Sequence, residues 1–265
     1  MEMGTGKQRR LEFTETVCQL IDTALSWVYP TRCMVCTDIL PQNGPKWICE
    51  NCEGLLAPIG KPVCIMCGAP MESEGAECGN CRKRGRVYGN TALFVYEDAV
   101  RDVIHRFKYG GCPRYARGFA KLAAESLEDG FFDGAEALIP VPMYDKKRRR
   151  RGYNQAEEFS AALSKITGVP TLLDHLKRTR NTRPMAGLTP AERANNLLGA
   201  FALGKQIKLK SVILIDDIYT TGETLDVCAG LLARSGAEQI RSLTLAVAVK
   251  RANQRKPDDI EVYGV

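Results

Sequence analysis

Several absences narrow the field before any motif is considered. No stretch of the 265 residues is long and apolar enough to span a bilayer, which takes about 20 consecutive apolar residues. Lys7, Arg9 and Arg10 open the chain, but Glu12, Glu15 and Asp22 interrupt the next dozen residues, so the apolar core of a secretory signal is missing. A soluble, cytoplasmic protein is therefore expected. Large apolar residues are scarce between Cys33 and Cys81: Trp47, Ile39, Leu40, Ile48, Leu55, Leu56 and Ile65 are too few for an independent core. Excess positive charge is scarce outside one place. Lysine and arginine number 37 against 31 acids, and the run Lys146-Lys147-Arg148-Arg149-Arg150-Arg151 alone accounts for the net charge of +6. Such local basicity argues against a general nucleic-acid coat and for one element facing a polyanion. The overall composition, 45% hydrophobic and 26% charged, is that of an ordinary globular chain, long enough for two domains.

Cysteine is abundant where apolar residues are not. Eight of the eleven cysteines form four Cys-x-x-Cys pairs, Cys33/Cys36, Cys49/Cys52, Cys64/Cys67 and Cys78/Cys81. Two-residue spacing lets thiolates converge on one tetrahedral ion, and each pair needs a second pair to complete four ligands. Two structural Zn²⁺ sites in two sequential ribbons are expected, with a crossed pairing of first with third and second with fourth also compatible with the spacing. Four disulfides are the competing chemistry, which a cytosolic address disfavours. Structural zinc contributes about 10–16 kcal/mol of apparent folding free energy in small domains, so metal would replace the missing core. Stripping it is expected to unfold residues 31–86 and leave the rest folded. Before this double ribbon, residues 1–30 hold an amphipathic helix between Leu11 and Tyr29; after it, residues 87–265 form the second domain. Cys18 and Cys228 read as small packed residues in helices.

The densest chemistry lies from Val212 to Leu225, VILIDDIYTTGETL. Four aliphatics suit the centre of a parallel sheet, whose ligands sit beyond the carboxyl ends of strands, where Asp216 and Asp217 fall. Thr220, Thr221, Gly222, Glu223 and Thr224 then make a tight turn into a helix start, where hydroxyls, unpaired N–H groups and the helix dipole favour a phosphate. Carboxylates at one end and phosphate donors at the other describe a ribose-phosphate cradle. Side chains alternate along a strand, so both acids can serve one ligand only if the strand stops there. The stretch resembles the phosphoribosyl pyrophosphate (PRPP) motif of type I phosphoribosyltransferases. That resemblance implies that Asp216 and Asp217 contact the ribose hydroxyls and that the Thr-Thr-Gly loop wraps the 5-phosphate. Purine-specific relatives often place an acid directly before Thr-Gly, where this chain has Thr220, so the acceptor is unassigned.

Around this motif, strand, loop and helix patterns alternate, implying a mostly parallel α/β sheet. Strands are expected at Leu93–Tyr96, Ala137–Val141 and Ile240–Val249. Helices are expected at Ala99–Phe107, Tyr115–Leu127, Ala156–Ile166 and Glu223–Ser235. Ile139-Pro140-Val141-Pro142 leads into the basic run, read as a loop at a strand's carboxyl end, with Arg151 and the Gly152 backbone positioned for a pyrophosphate. Arg178 to Asn196 is a long polar stretch with Arg178, Arg180, Arg183 and Arg193, interrupted by a capping box at Thr189-Pro190-Ala191-Glu192, and reads as a basic lid. His105, alone in a helix, reads as structural.

Taken together, the cysteine pairs, the PRPP motif, Arg106-Phe107-Lys108-Tyr109-Gly110-Gly111, Ile139 to Pro142, Arg151-Gly152-Tyr153-Asn154-Gln155, and Arg193 to Phe201 resemble the ComF family, which includes the GntX-type proteins. The resemblance implies an N-terminal double zinc ribbon fused to a type I phosphoribosyltransferase-like domain. It further implies PRPP or ribose 5-phosphate bound with Mg²⁺, phosphoribosyl transfer, and a link to natural transformation on the cytoplasmic side of DNA uptake. Met185 departs from the family's lid, where a glutamine is expected. The alternative is a non-catalytic adaptor: ribbons binding single-stranded DNA or a helicase partner, with the PRPP site as a sensor. Trp47 and Tyr88 beside Lys46, Lys61, Arg82, Lys83, Arg84 and Arg86 offer the mixture of stacking and charge that such binding uses.

Overall fold

The computed structural model describes residues 30–41, 46–73, 75, 77–82, 88–182, 196–197, 199–205 and 208–249. The helix expected over Leu11–Tyr29 and the capping box at Thr189 lie outside them. The chain divides into two compact units, Met1–Leu55 and Leu56–Val265.

In the first unit, Cys33 N–H donates to the Asp38 carbonyl and Thr37 N–H returns to the Cys33 carbonyl, a tight knuckle that places Thr37 at φ 69°. Met34, Leu40 and Ile48 are its buried apolar residues.

The second unit repeats that knuckle and then builds an α/β domain. Cys64 N–H donates to the Ala69 carbonyl and Gly68 N–H to the Cys64 carbonyl, with Gly68 at φ 74°. There come next β1 (Gly89–Val95), α1 (Asp98–Tyr109), α2 (Tyr115–Ser126), β2 (Ala137–Pro140), α3 (Asp145–Arg151) and α4 (Gln155–Thr167). The chain continues through β3 (Leu176–Arg178), β4 (Phe201–Leu203), β5 (Ser211–Tyr219), α5 (Glu223–Arg234) and β6 (Gln239–Val247). Strands β1, β6, β5 and β2 form, in that order, a wholly parallel sheet. Val212, Ile213, Leu214 and Ile215 are completely buried at its centre, the reason for their unbroken apolar run.

Every helix but the wholly polar α3 buries an apolar stripe. On α1 this is Val100, Val103, Ile104 and Phe107. Phe107 packs against Phe119 of α2 at 5.6 Å between ring centroids, and Phe119 against Phe94 of β1 at 6.3 Å. Another core cluster joins Val212 and Leu214 to Leu225, Cys228, Ala229 and Leu232 of α5. Cys64, Cys67, Ala69 and Cys81 belong to this same cluster.

Both sheet edges are covered by their own chain, which removes the hazard of an open edge. Ile59 N–H donates to the Leu93 carbonyl and Asn90 N–H to the Met66 carbonyl, so the second ribbon lines β1. At β2, Leu138 N–H donates to Pro170 and Leu172 N–H to Leu138.

Three expectations need correction. The basic run is helix α3, not a loop: lysine and arginine are good helix formers, and four arginines in its last turn suit the negative end of the helix dipole. Gly152, at φ 89°, ends it. Arg178 is not in the polar stretch but in β3, paired antiparallel with β4 in a second, two-stranded sheet. Finally, β5 does not stop at Asp217. Pairing with β6 continues through Ile218 and Tyr219, so Asp216 and Asp217 leave the strand on opposite faces.

Gly68 offers a direct check on the docking of the second ribbon. A Cβ there would lie 2.7 Å from the Ala92 backbone nitrogen, in a left-handed conformation. Gly68→Ala is expected to cost about 2 kcal/mol or more in thermal unfolding. A loss below about 0.5 kcal/mol would mean that the knuckle does not bear on β1.

Candidate functional site

The turns that leave β1, β2 and β5 all lie at the carboxyl edge of the sheet and lead into α1, α3 and α5. This edge collects the charged residues that the sequence marks, together with others that it does not.

Asp216 and the residues from Ile218 to Leu225 line an open pocket of ≈ 290 Å³, including the solvent at its mouth. Gly222 takes φ 80° as the N-cap of α5 and supplies no side-chain cap. Gly222 thus offers the first-turn N–H groups no side-chain acceptor of its own. Thr221 donates its hydroxyl to the Glu223 carboxylate. An incoming phosphate would have to take that hydroxyl from Glu223, an acceptor of the same kind.

On one face of β5, Asp216 sits near Arg178 of β3 and above the buried Cys228. Arg178 stacks over the Phe201 ring at 5.0 Å, and its Nε is buried with no hydrogen-bond partner among the described residues. Burial, then the neighbouring Asp217 carboxylate, pushes the Asp216 carboxyl up to about 7, against the opposing pull of the Asp217 N–H, Lys108 and Arg178. The Asp217 amide donates to Asp216 Oδ1 at 2.8 Å.

On the other face, Lys108 of α1 pairs with Asp217 Oδ2 at 2.9 Å, both side chains about one-fifth exposed. Arg151 stacks over Tyr109 at 4.7 Å and donates to the Gln155 side chain, while its Nε is buried and unpartnered among the described residues. Lys147 reaches solvent, yet desolvation and then Arg151, Arg178 and Lys108 lower its pKa. Four cations thus surround two carboxylates, an excess of positive charge aimed at the edge where a polyanion would sit.

Sequence alone singles out Arg151 and Gly152 but not Lys108, Lys147 and Arg178 as members of this group. Lys108 lies within Arg106–Gly111, which carries no assigned role, and Lys147 within a run whose members look alike. His105 is exposed and stacks on Tyr109 at 4.9 Å, away from the pocket lining.

The eight paired cysteines gather into two groups, Cys33/Cys36/Cys49/Cys52 and Cys64/Cys67/Cys78/Cys81, with sulfurs within 4.8 Å of one another in each. The pairing is sequential, not crossed, and all ten described cysteines are free of disulfides. A tetrahedron of sulfurs about 2.3 Å from an ion has edges of about 3.8 Å. Cys36 and Cys49 are 3.7 Å apart and Cys67 and Cys78 3.8 Å. Zn²⁺ therefore fits both groups. Burial pushes the Cys33 and Cys64 thiols up, but backbone N–H groups directed at them prevail and bring each down to about 7. Cys81 is pushed up to about 12 by burial and its sulfur neighbours. Sulfurs this close ionise together only around a cation.

Residues 24–82 match the double zinc ribbon domain and residues 111–265 the phosphoribosyl transferase domain. The chain is 32% identical to competence protein F of Haemophilus influenzae, over 82% of this chain and 97% of that protein. It is 28% identical to competence protein ComFC of Streptococcus pneumoniae, over 78% and 90%. Against the DNA utilization protein YhgH of Escherichia coli K12 the identity is 26%, over 80% and 95%.

This geometry has two measurable outcomes. Because the second tetrad shares the core of α5 and β1, Cys64→Ser with Cys67→Ser is expected to lower the main thermal transition, whereas Cys33→Ser with Cys36→Ser leaves it in place. Equal effects would contradict the docking. Asp216 holds its proton to higher pH in the folded protein than in the unfolded chain, where its pKa is about 3.9. Its contribution to stability is thus complete below about pH 4 and lost as pH rises through about 7. Asp216→Asn should therefore melt above the parent at pH 8, with the advantage vanishing near pH 4; a pH-independent difference would contradict this sign.

Proposed function

The chain belongs to the ComF family of competence proteins, and from that premise we propose that its carboxyl-edge pocket binds PRPP or ribose 5-phosphate and transfers the phosphoribosyl group to an acceptor nucleophile during handling of imported DNA. The observation that carries this reading is the glycine-initiated start of α5 joined, through Thr220–Thr224, to the Asp216 end of β5 in one pocket. The 5-phosphate takes the N–H groups and hydroxyls of Thr220, Thr221, Gly222, Glu223 and Thr224, where the helix dipole favours negative charge. Asp216, which lines the same pocket, faces the ribose hydroxyls.

Asp217 works from the other side of the strand. Its carboxylate, held by Lys108, stands toward Lys147 and Arg151, where the pyrophosphate lies in this reading. Asp216 and Asp217 are hard oxygen donors of the kind that Mg²⁺ accepts when it arrives with a polyphosphate; bound there, it would supply charge neutralisation. The protein's own part is electrostatic. As the bond between C1 and the pyrophosphate oxygen breaks, negative charge grows on the leaving group beside Arg151, the Gly152 backbone, Lys147 and Lys108. Positive charge grows on the ribose beside Asp216. The acceptor's electron pair then closes the new bond at C1, so no covalent enzyme intermediate is needed.

Relatives named for competence and for DNA utilization support placing the reaction near incoming DNA. Isothermal calorimetry of PRPP with Mg²⁺ should show binding by the parent and none by Asp216→Asn with Asp217→Asn, which stays folded. Parent protein with a panel of nucleobases and amines should release pyrophosphate with at least one acceptor. Unchanged affinity in the double variant would remove the acid assignment, and binding without release from any acceptor would favour the adaptor reading over the enzyme.

A further inference from the structure

We propose that the first cysteine tetrad is an oxidation site: peroxide attacks Cys36, Cys49 closes a disulfide onto it, and the zinc held there is released, while the second tetrad keeps its metal. The carboxyl edge of the sheet plays no part in this. The two tetrads serve as controls for each other, because both are built on the same hydrogen-bonded knuckle and both gather four sulfurs within 4.8 Å, yet their cover differs.

In the first knuckle Cys36, Thr37, Asp38 and Ile39 are all exposed. At the equivalent positions of the second, Cys67, Gly68 and Ala69 are all buried. The source of the difference is β1. Gly68 lies against the backbone of Asn90 and Ala92, and the Asn90 side chain donates to the Cys67 carbonyl at 3.0 Å. Cys64, Cys67 and Cys81 also belong to the core cluster that holds Leu225 and Cys228. Of the eight paired cysteines, Cys36 alone is exposed; Cys49 and Cys78 are half-buried and the other five are buried.

Access decides the outcome because sulfur geometry does not. Cys36 and Cys49 lie 3.7 Å apart and Cys67 and Cys78 3.8 Å, so each tetrad holds a pair close enough to join once its metal loosens. A buried thiolate is inert, whereas an exposed one beside a second thiol is the usual target of peroxide. The Cys36 thiolate attacks one peroxide oxygen, an S–O bond forms and hydroxide leaves. The Cys49 thiolate then attacks that sulfur, the S–S bond forms and a second hydroxide leaves. Two thiolates have given up two electrons, the peroxide has taken both, and two protons from solvent convert the hydroxides to water. The two remaining thiolates are half of the four ligands that a structural zinc site needs. Met34, Leu40 and Ile48, the buried apolar side chains of the first unit's described residues, are too few to hold the knuckle without metal.

Limiting hydrogen peroxide, added to the full chain loaded with two zinc ions, tests this. Cys18→Ser with Cys112→Ser removes the thiols outside the tetrads other than the fully buried Cys228. One ion per chain is expected to reach a metal indicator at least about tenfold faster than the other, since exposure governs thiolate oxidation. Peptide mapping at that stage should show a disulfide between Cys36 and Cys49, with the main thermal transition in place, and reduction with added zinc should restore both ions. Release of the two ions at rates within about threefold of each other overturns the proposal, as does a first disulfide that includes a cysteine of the second tetrad. Cys36→His gives a second readout, because an imidazole binds zinc but forms no disulfide. That variant should hold both ions and lose the fast phase; a fast phase that persists in it overturns the proposal.

Discussion

Strand β5 is apolar on both faces for four residues and must then release the chain into a helix within a few positions. That requirement organises the functional edge of the domain. Val212 to Ile215 have no exposed surface, so the strand's place in the sheet is fixed by burial on both sides. The residues just beyond inherit that precision. Asp216 is still paired with β6, as are Ile218 and Tyr219 on the far side of Asp217, and Gly222 takes the left-handed conformation that turns the backbone into α5. The junction of strand and helix thus joins a strand end held in the sheet to a helix that starts at a glycine, the setting that the proposed phosphate site requires.

The opposite faces of the two acids give the site a polarity. Asp216 shares its side with Arg178, Cys228 and the pocket, and burial holds its carboxyl up at about 7. Asp217 shares its side with Lys108 and the end of α3. Of the two acids only Asp216 lines the pocket, while Asp217 lies on the far face of the strand with Lys108. The ion pair of Lys108 with Asp217 keeps that second carboxylate compensated while the site is empty, which lowers the cost of two neighbouring acids.

Much of this is legible in the sequence where the signal is local. The aliphatic run, the Thr-Thr-Gly turn, the helix after it and the sequential cysteine groups each depend on residues within about twenty positions of one another, and all are present. Helix α3 escapes because a run of like charges suggests a solvated loop, while its arginines favour a helix and its C-terminal dipole accepts them. Strands β3 and β4 escape because three residues with one buried position carry no period. Lys108 and Arg178 reach the acids only through the tertiary fold, so no spacing in the chain announces them. Part of the attachment of the second ribbon is invisible for another reason: besides the shared core it is made by backbone hydrogen bonds, Ile59 to Leu93 and Asn90 to Met66, and by a glycine that must lie against Ala92. Backbone contacts leave little trace in side-chain identity.

The function proposed for this edge requires that the start of α5 accept the phosphate of a phosphorylated pentose. A crystal of the zinc-loaded protein soaked with ribose 5-phosphate tests that requirement most directly. Phosphate oxygens are expected within hydrogen-bonding distance of the backbone nitrogens from Thr221 to Thr224, with the Thr221 hydroxyl turned from Glu223 to the phosphate and the ribose hydroxyls beside Asp216. Phosphate bound elsewhere, with Thr221 still on Glu223 and the turn sterically closed, would contradict it.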